Sequence, residues 1–173
     1  MKSEQNDIPT AQILIVDDED SHAEVMAEAL RRLGHVCTVV HDLPSAKDEL
    51  EHGRFDLVVT DLVMDDEDDG QQVLACARQT QENAQTIMVT AHGDVPTAKQ
   101  AIRGGAYDFI EKPLDLDNFR TLCSNALREV MLRSQNATLH ERLDEQYGLE
   151  GIVGKSPAIR DLLVKIKQVA NSN

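Results

Sequence analysis

Aromatic residues are nearly missing from this chain, which has three Phe, two Tyr and no Trp in 173 residues. Any core must be built from Leu, Ile, Val, Ala and Met, and at this length that suffices for one full domain plus a fragment, not for two domains. Long apolar runs are missing too. Ile13–Val16 and Leu57–Val59 are typical of what is present, far short of the roughly 20 residues that cross a bilayer, which excludes a membrane-spanning helix. Residues 1–10 are polar and lack the basic segment and apolar stretch of a secretory signal, so the expected location is cytoplasmic. Cysteine is scarce: Cys37, Cys76 and Cys123 are odd in number and far apart, which fits neither a disulfide framework nor a C-x-x-C metal or redox site. They read as buried or neutral thiols.

Positive charge is in short supply over most of the chain. Residues 1–118 carry 9 Lys and Arg against 25 Asp and Glu, whereas residues 119–173 carry 8 against 6, within a net charge of −14. So negative a surface repels a phosphate backbone, and no basic stripe with interleaved aromatics offsets it, so nucleic-acid binding by these residues is excluded.

What the chain does have is alternation. Short apolar runs at Ala11–Val16, Cys37–Val40, Leu57–Thr60, Thr86–Val89 and Tyr107–Ile110 predict strands. Between and after them, Ser21–Leu33, Pro44–Glu51, Gln71–Arg78, Pro96–Arg103 and Leu116 onward predict amphipathic helices, the first with Val25, Met26, Ala29, Leu30 and Leu33 on its apolar face. Strands apolar throughout, separated by helices, imply a parallel sheet covered on both faces, a doubly wound α/β fold. Ligands of such folds sit at the carboxyl ends of the strands.

The residues just past those ends carry chemistry. The first strand runs into Asp17-Asp18-Glu19-Asp20, the third ends at Asp61, the fourth at Thr90-Ala91 and the fifth at Lys112-Pro113. Carboxylates brought together repel one another unless a cation lies among them, and hard oxygen ligands favour Mg2+. A lysine can balance charge and a threonine hydroxyl can hydrogen-bond an incoming oxyanion. These are the parts of a phosphoryl-transfer site.

The set I-L-I-V-D-D-E-D at 13–20, V-V-T-D-L-V-M at 58–64, V-T-A-H at 89–92 and G-A-Y-D-F-I-E-K-P at 105–113 resembles a two-component response-regulator receiver domain. The resemblance implies a five-stranded flavodoxin-like sheet of order 2-1-3-4-5. It also implies that Asp61 accepts a phosphoryl group from a sensor histidine kinase, so that the catalytic set is Asp61, Thr90 and Lys112. By the same resemblance Asp18, Asp61 and the carbonyl of Val63 ligate Mg2+ while Asp17 positions it through water. Lys112 contacts the phosphoryl oxygens, Thr90 and Phe109 form the switch pair, and the Lys112–Pro113 peptide is cis. One stretch departs from the family pattern: Met64 is followed by Asp65, not Pro, and Asp66, Glu67, Asp68 and Asp69 precede Gly70, so the loop is one residue longer and far more acidic. It reads as a solvated charge run or, more sharply, as a device that tunes Mg2+ affinity or disfavours anionic phosphodonors. His92 reads as a surface loop residue, and His22, His35, His41, His52 and His140 show no ligand spacing.

The final helical pattern continues without Gly or Pro to about Tyr147. Leu122, Leu132, Leu139 and Leu143 fit a heptad seam also occupied by Asn125, Glu129 and Asn136, which predicts a weak, register-specific coiled coil and a homodimer. Beyond Gly148, the run G-I-V-G-K-S-P-A-I-R-D-L-L-V-K-I-K-Q-V-A resembles the start of the AAA+ domain of NtrC-like activators of sigma-54 RNA polymerase. Gly154-Lys155-Ser156 is not a phosphate-binding loop, because Leu149 stands where its first Gly belongs, so no ATPase is expected here. The expected organisation is a receiver over 11–132, a helical dimerisation linker over 133–148 and an AAA+ fragment over 149–173. Contacts with sigma-54 RNA polymerase and DNA belong to domains absent from this chain. The rival readings are a receiver-fold dimerisation module that needs no phosphorylation, and a haloacid-dehalogenase-type phosphohydrolase, whose nucleophile motif needs a second Asp where this chain has Val63.

Overall fold

A computed structural model describes residues 9–66, 68–91 and 101–147. Among the described residues the elements run β1 (Gln12–Val16), α1 (Asp20–Arg31), β2 (Val36–Val40), α2 (Leu43–His52), β3 (Leu57–Asp61), α3 (Asp69–Thr80), β4 (Gln85–Thr90), β5 (Asp108–Glu111) and α4 (Leu116–Tyr147). Residues 101–104 are helical as well. Most of the helix expected over Pro96–Arg103, together with His92, Glu67 and everything from Gly148 onward, lies outside the described residues.

The five strands form one parallel sheet of order β2-β1-β3-β4-β5. β3 and β4 are buried at every position, as strands covered on both faces must be, whereas β2 at the edge is exposed to half-buried. Alternation along each strand splits the core in two. Ile13, Ile15, Leu57, Val59, Ile87 and Val89 meet α1 and α4, while Leu14, Val16 and Val58 meet α2 and α3.

Local sequence explains the helix boundaries. Asp42 accepts a hydrogen bond from the Ser45 backbone N–H at 2.7 Å and Pro44 follows in the first turn, so α2 starts at Leu43. The buried face of α1 differs from expectation. Ala23, Met26, Ala27, Ala29 and Leu30 are buried, while Val25 and Leu33 are 46% and 37% exposed. The small side chains let the helix lie close to the sheet, and the bulkier Val25 falls on the outer side.

Contacts divide the chain into two units, residues 1–133 and 134–173. In the first, Phe119, Cys123, Ala126 and Leu127 of α4 complete the core. Leu122 also packs against that core, so it is not part of a free seam as its heptad position implied. Leu132, at 55%, is exposed. In the second unit, residues 134–147 are helical and Leu139 is 57% exposed. No helix among the described residues is long and apolar enough to cross a membrane.

Candidate functional site

Strand register assembles the site. Val16 pairs with Thr60, so the next residues, Asp17 and Asp61, stand side by side at the carboxyl edge of β1 and β3. Asp61 pairs with Val89, which sets Thr90 one step further on β4, and Thr90 pairs with Glu111, which places Lys112 one step beyond β5. The Lys112 N–H donates to the Thr90 carbonyl at 2.7 Å, extending the ladder by one bond. The Lys112–Pro113 peptide is cis.

The side chains then converge. Lys112 Nζ donates to Asp61 Oδ2 at 2.6 Å and to Asp17 Oδ2 at 3.0 Å. Asp17 and Asp61 are buried and Asp18 is exposed, and carboxylate oxygens of all three lie within 4.8 Å of one another. Burial pushes the Asp17 carboxyl above its ordinary range, against the hydrogen bond from Lys112 that pulls it down. Burial also acts to lower the Lys112 ammonium, but its hydrogen bonds to Asp61 and Asp17 outweigh this and raise it. Three hard oxygen donors, two of them buried and one exposed, fit a small divalent cation of the Mg2+ type, which takes a few carboxylates and keeps several waters.

Val63 follows on the loop, its side chain exposed and its N–H donating to Asp61 Oδ1 at 3.2 Å. Thr90 is buried. Phe109 pairs with Met88 and is half-buried against Leu62, Leu74, Met88, Ala101 and Ala106. Strand alternation puts Thr90, two residues past Met88, on the same face as Phe109.

The acidic loop is not the uniformly solvated run that its composition suggests. Asp65, Asp66 and Asp68 are exposed, but Asp69 is buried, its Oδ2 accepting from the Asp66 N–H at 3.0 Å and its own N–H donating to the Asp66 carbonyl at 3.2 Å. Gly70 then donates to the Leu62 carbonyl at 3.1 Å, and a Cβ there would overlap the Asp61 carbonyl and lie 2.6 Å from Leu62 Cα. Gly70 is thus the point where α3 touches the backbone that carries Asp61.

Two residues beside the site escaped the sequence reading. His22 Nδ1 lies 3.1 Å from Lys112 Nζ, and His41 Nδ1 lies 2.9 Å from the Asp17 carbonyl with its Nε2 3.3 Å from Asp20 Oδ1. Neither has ligand-like spacing; their only sequence signal is position, His22 in the first turn after the acidic run and His41 just past the strand that borders β1. The three cysteines are free, with burial pushing the Cys37 thiol up to about 11 and Cys123 higher still.

The family model of the response regulator receiver domain matches residues 13–124. The transcriptional regulatory protein ZraR of Klebsiella oxytoca is 34% identical over 173 residues, all of this chain and 37% of that protein. The crystal structure of NtrX from Brucella abortus in complex with ADP is similar at 33% identity and a TM-score of 0.70, over 93% of this chain and 35% of that one. A CheY-like receiver domain from Methanospirillum hungatei, 22% identical with a TM-score of 0.67 over 72% of this chain and 98% of its own, shares the fold. The chain spans about a third of the length of the curated relatives it matches.

Proposed function

This chain belongs to the family of response regulator receiver domains, and from that membership we propose that Asp61 is its phosphoacceptor, with a sensor histidine kinase as donor. The observation that carries the reading is the position of Lys112, held 2.6 Å from one oxygen of a nearly buried carboxylate that sits among two other aspartates. An Asp61 oxygen forms the new O–P bond as the N–P bond of the phosphohistidine breaks, and the leaving imidazole keeps the electron pair. Asp17, Asp18, Asp61 and the Val63 carbonyl would hold Mg2+, which when bound neutralises charge that develops on the transferring phosphoryl oxygens. Lys112 supplies the fixed positive charge on the other side. Thr90 then donates its hydroxyl to a phosphoryl oxygen, and Phe109, on the same face, follows inward; a local change of charge becomes a change of surface.

The chain transfers no phosphoryl group onward to an external substrate and is not an enzyme in that sense. The organisation proposed is a receiver over 11–132, a dimerising helical linker over 133–148 and the start of an AAA+ domain over 149–173. Exposed Leu132 and Leu139 support a homodimer through the linker. Likeness to a transcriptional regulatory protein across the full chain supports control of transcription, and the resemblance of the run from Gly151 to the start of an AAA+ domain of sigma-54 activators supports control through such a domain, with RNA polymerase and DNA contacted by parts of the protein outside these residues.

Intact-protein mass spectrometry after incubation with acetyl phosphate and Mg2+ tests the central claim. A gain of one phosphoryl group, lost in Asp61→Asn and in the presence of a chelator, is expected. No gain in folded wild-type protein would overturn it.

A further inference from the structure

An ammonium has three protons to give, and Lys112 has three acceptors: Asp61 Oδ2 at 2.6 Å, Asp17 Oδ2 at 3.0 Å and His22 Nδ1 at 3.1 Å. The first two belong to the acidic hollow. The third comes from α1 and carries no formal charge when it accepts. An ammonium only donates, so this contact is a hydrogen bond in the tautomer that accepts through Nδ1 and holds its proton on Nε2. In that tautomer the other charged groups near the nitrogen among the described residues, Glu19 Oε2 at 3.3 Å and Asp17 Oδ1 at 3.9 Å, are ionised carboxylates with no proton to offer it. Lys112 is therefore its donor.

We propose that His22 is a positioning residue for Lys112: it takes the one ammonium proton that neither aspartate takes, and so fixes where the ammonium stands when the phosphoryl group arrives. The proposal rests on the phosphoacceptor reading of Asp61. It follows from what changes during the transfer. Asp61 loses its carboxylate charge on becoming an acyl phosphate, and Asp17 is among the residues that would hold the cation, so neither of those hydrogen bonds persists unchanged. The bond to His22 can persist before, during and after. Without it the ammonium has only partners that alter, and its flexible stem is free to search.

Packing does not require His22 for the fold. Its side chain is 42% exposed, and the buried face of α1 is formed by Ala23, Met26, Ala27, Ala29 and Leu30. This separates a positioning role from a structural one.

The test compares wild type with His22→Leu, which removes the acceptor, and His22→Asn, whose side-chain oxygen can stand where Nδ1 stood. In the unphosphorylated protein, heteronuclear NMR of the lysine ammonium groups reads the contact directly. Exchange of the Lys112 ammonium with water should quicken in His22→Leu and return toward wild type in His22→Asn; equal exchange in all three proteins would overturn the proposal. With acetyl phosphate and Mg2+, the phosphorylation rate should fall about fivefold in His22→Leu, the worth of one hydrogen bond, and recover in His22→Asn, with thermal midpoints unchanged. A rate unaffected by His22→Leu would also overturn it. If wild-type protein takes no phosphoryl group, the reading of Asp61 fails, while ammonium exchange still decides whether His22 holds Lys112.

Discussion

Lys112 Nζ stands 2.6 Å from Asp61 Oδ2, so the fold itself supplies a charge partner for the carboxylate proposed as phosphoacceptor. The same ammonium reaches Asp17 at 3.0 Å, and the two carboxylate side chains are 9% and 0% exposed. A single cation thus holds two buried anions in close company.

Lys112→Met should expose that dependence. Removing one partner of a buried pair strands the other, a loss of about 3 kcal/mol, read as a lower thermal midpoint in the absence of divalent ions. Mg2+ should restore more stability to the variant than to wild type, because the vacated charge favours the ion. Equal shifts with Mg2+ would refute this account.

Gly70→Ala should destabilise by about 2 kcal/mol, the usual scale of overpacking, because a Cβ there overlaps the Asp61 carbonyl and crowds Leu62 Cα. Chemical denaturation measures the loss, and a variant as stable as wild type would show that α3 can retreat freely.

Within the acidic loop, Asp69 should behave unlike its neighbours. Asp69→Ala removes the acceptor of the Asp66 N–H and should cost about 1 kcal/mol. Asp65→Asn and Asp68→Asn, at exposed positions, should leave the denaturation midpoint unchanged. Similar losses at all three positions would contradict the division. If Asp65→Asn, Asp66→Asn and Asp68→Asn combined leave Mg2+ affinity and phosphorylation rate unchanged, the loop does not tune the site.

His35 should make stability depend on pH. Burial lowers its pKa against the pull of Asp56, its Nδ1 accepts from the Ala11 N–H at 3.3 Å, and its Nε2 is buried without a partner among the described residues. A base whose folded pKa lies below its unfolded value is less protonated when folded, so stability is complete above about pH 6.5 and falls as the pH drops below it. Thermal midpoints of His35→Asn should fall less than those of wild type between about pH 7.5 and about pH 5.5, a window spanning the ordinary histidine pKa. Parallel curves would assign the slope to other groups.

Leu132→Asp with Leu139→Asp should reduce the mass seen by analytical ultracentrifugation to that of a single chain, if those exposed leucines form the dimer contact. An unchanged mass would remove the linker helix from the interface.

Much of the fold was legible because it is written in period. β3 and β4 carry unbroken apolar runs, Leu57–Val59 and Ile87–Val89, which put apolar side chains on both faces, and only a sheet covered on both faces tolerates that. Asp17, Asp61, Thr90 and Lys112 were legible as a group because each follows an apolar run, and parallel strands carry all such positions to one edge. Other features depend on contacts between segments far apart in sequence. Val25 has the right spacing for the core, yet the face of α1 that turns inward carries Ala23, Ala27 and Ala29 with Met26 and Leu30, and Leu33 lies past the end of the helix. His22 meets a lysine 90 residues away, and no local pattern announces that. Asp69 looks like one more charge in a run, and what sets it apart is its burial and its bond to the Asp66 N–H.

The sheet register has a further consequence. Val16 opposite Thr60 and Asp61 opposite Val89 are at once rungs of the ladder and the coordinates of the pocket. A slip of one residue in β3 would turn Asp61 to the opposite side of the sheet and exchange Val58 and Val59 between the two cores. The pocket is therefore not an ornament added to a finished scaffold: the packing of distinct side chains on each face of the sheet fixes the register, and a chain that has found its hydrophobic partners has, in the same act, aligned its carboxylates.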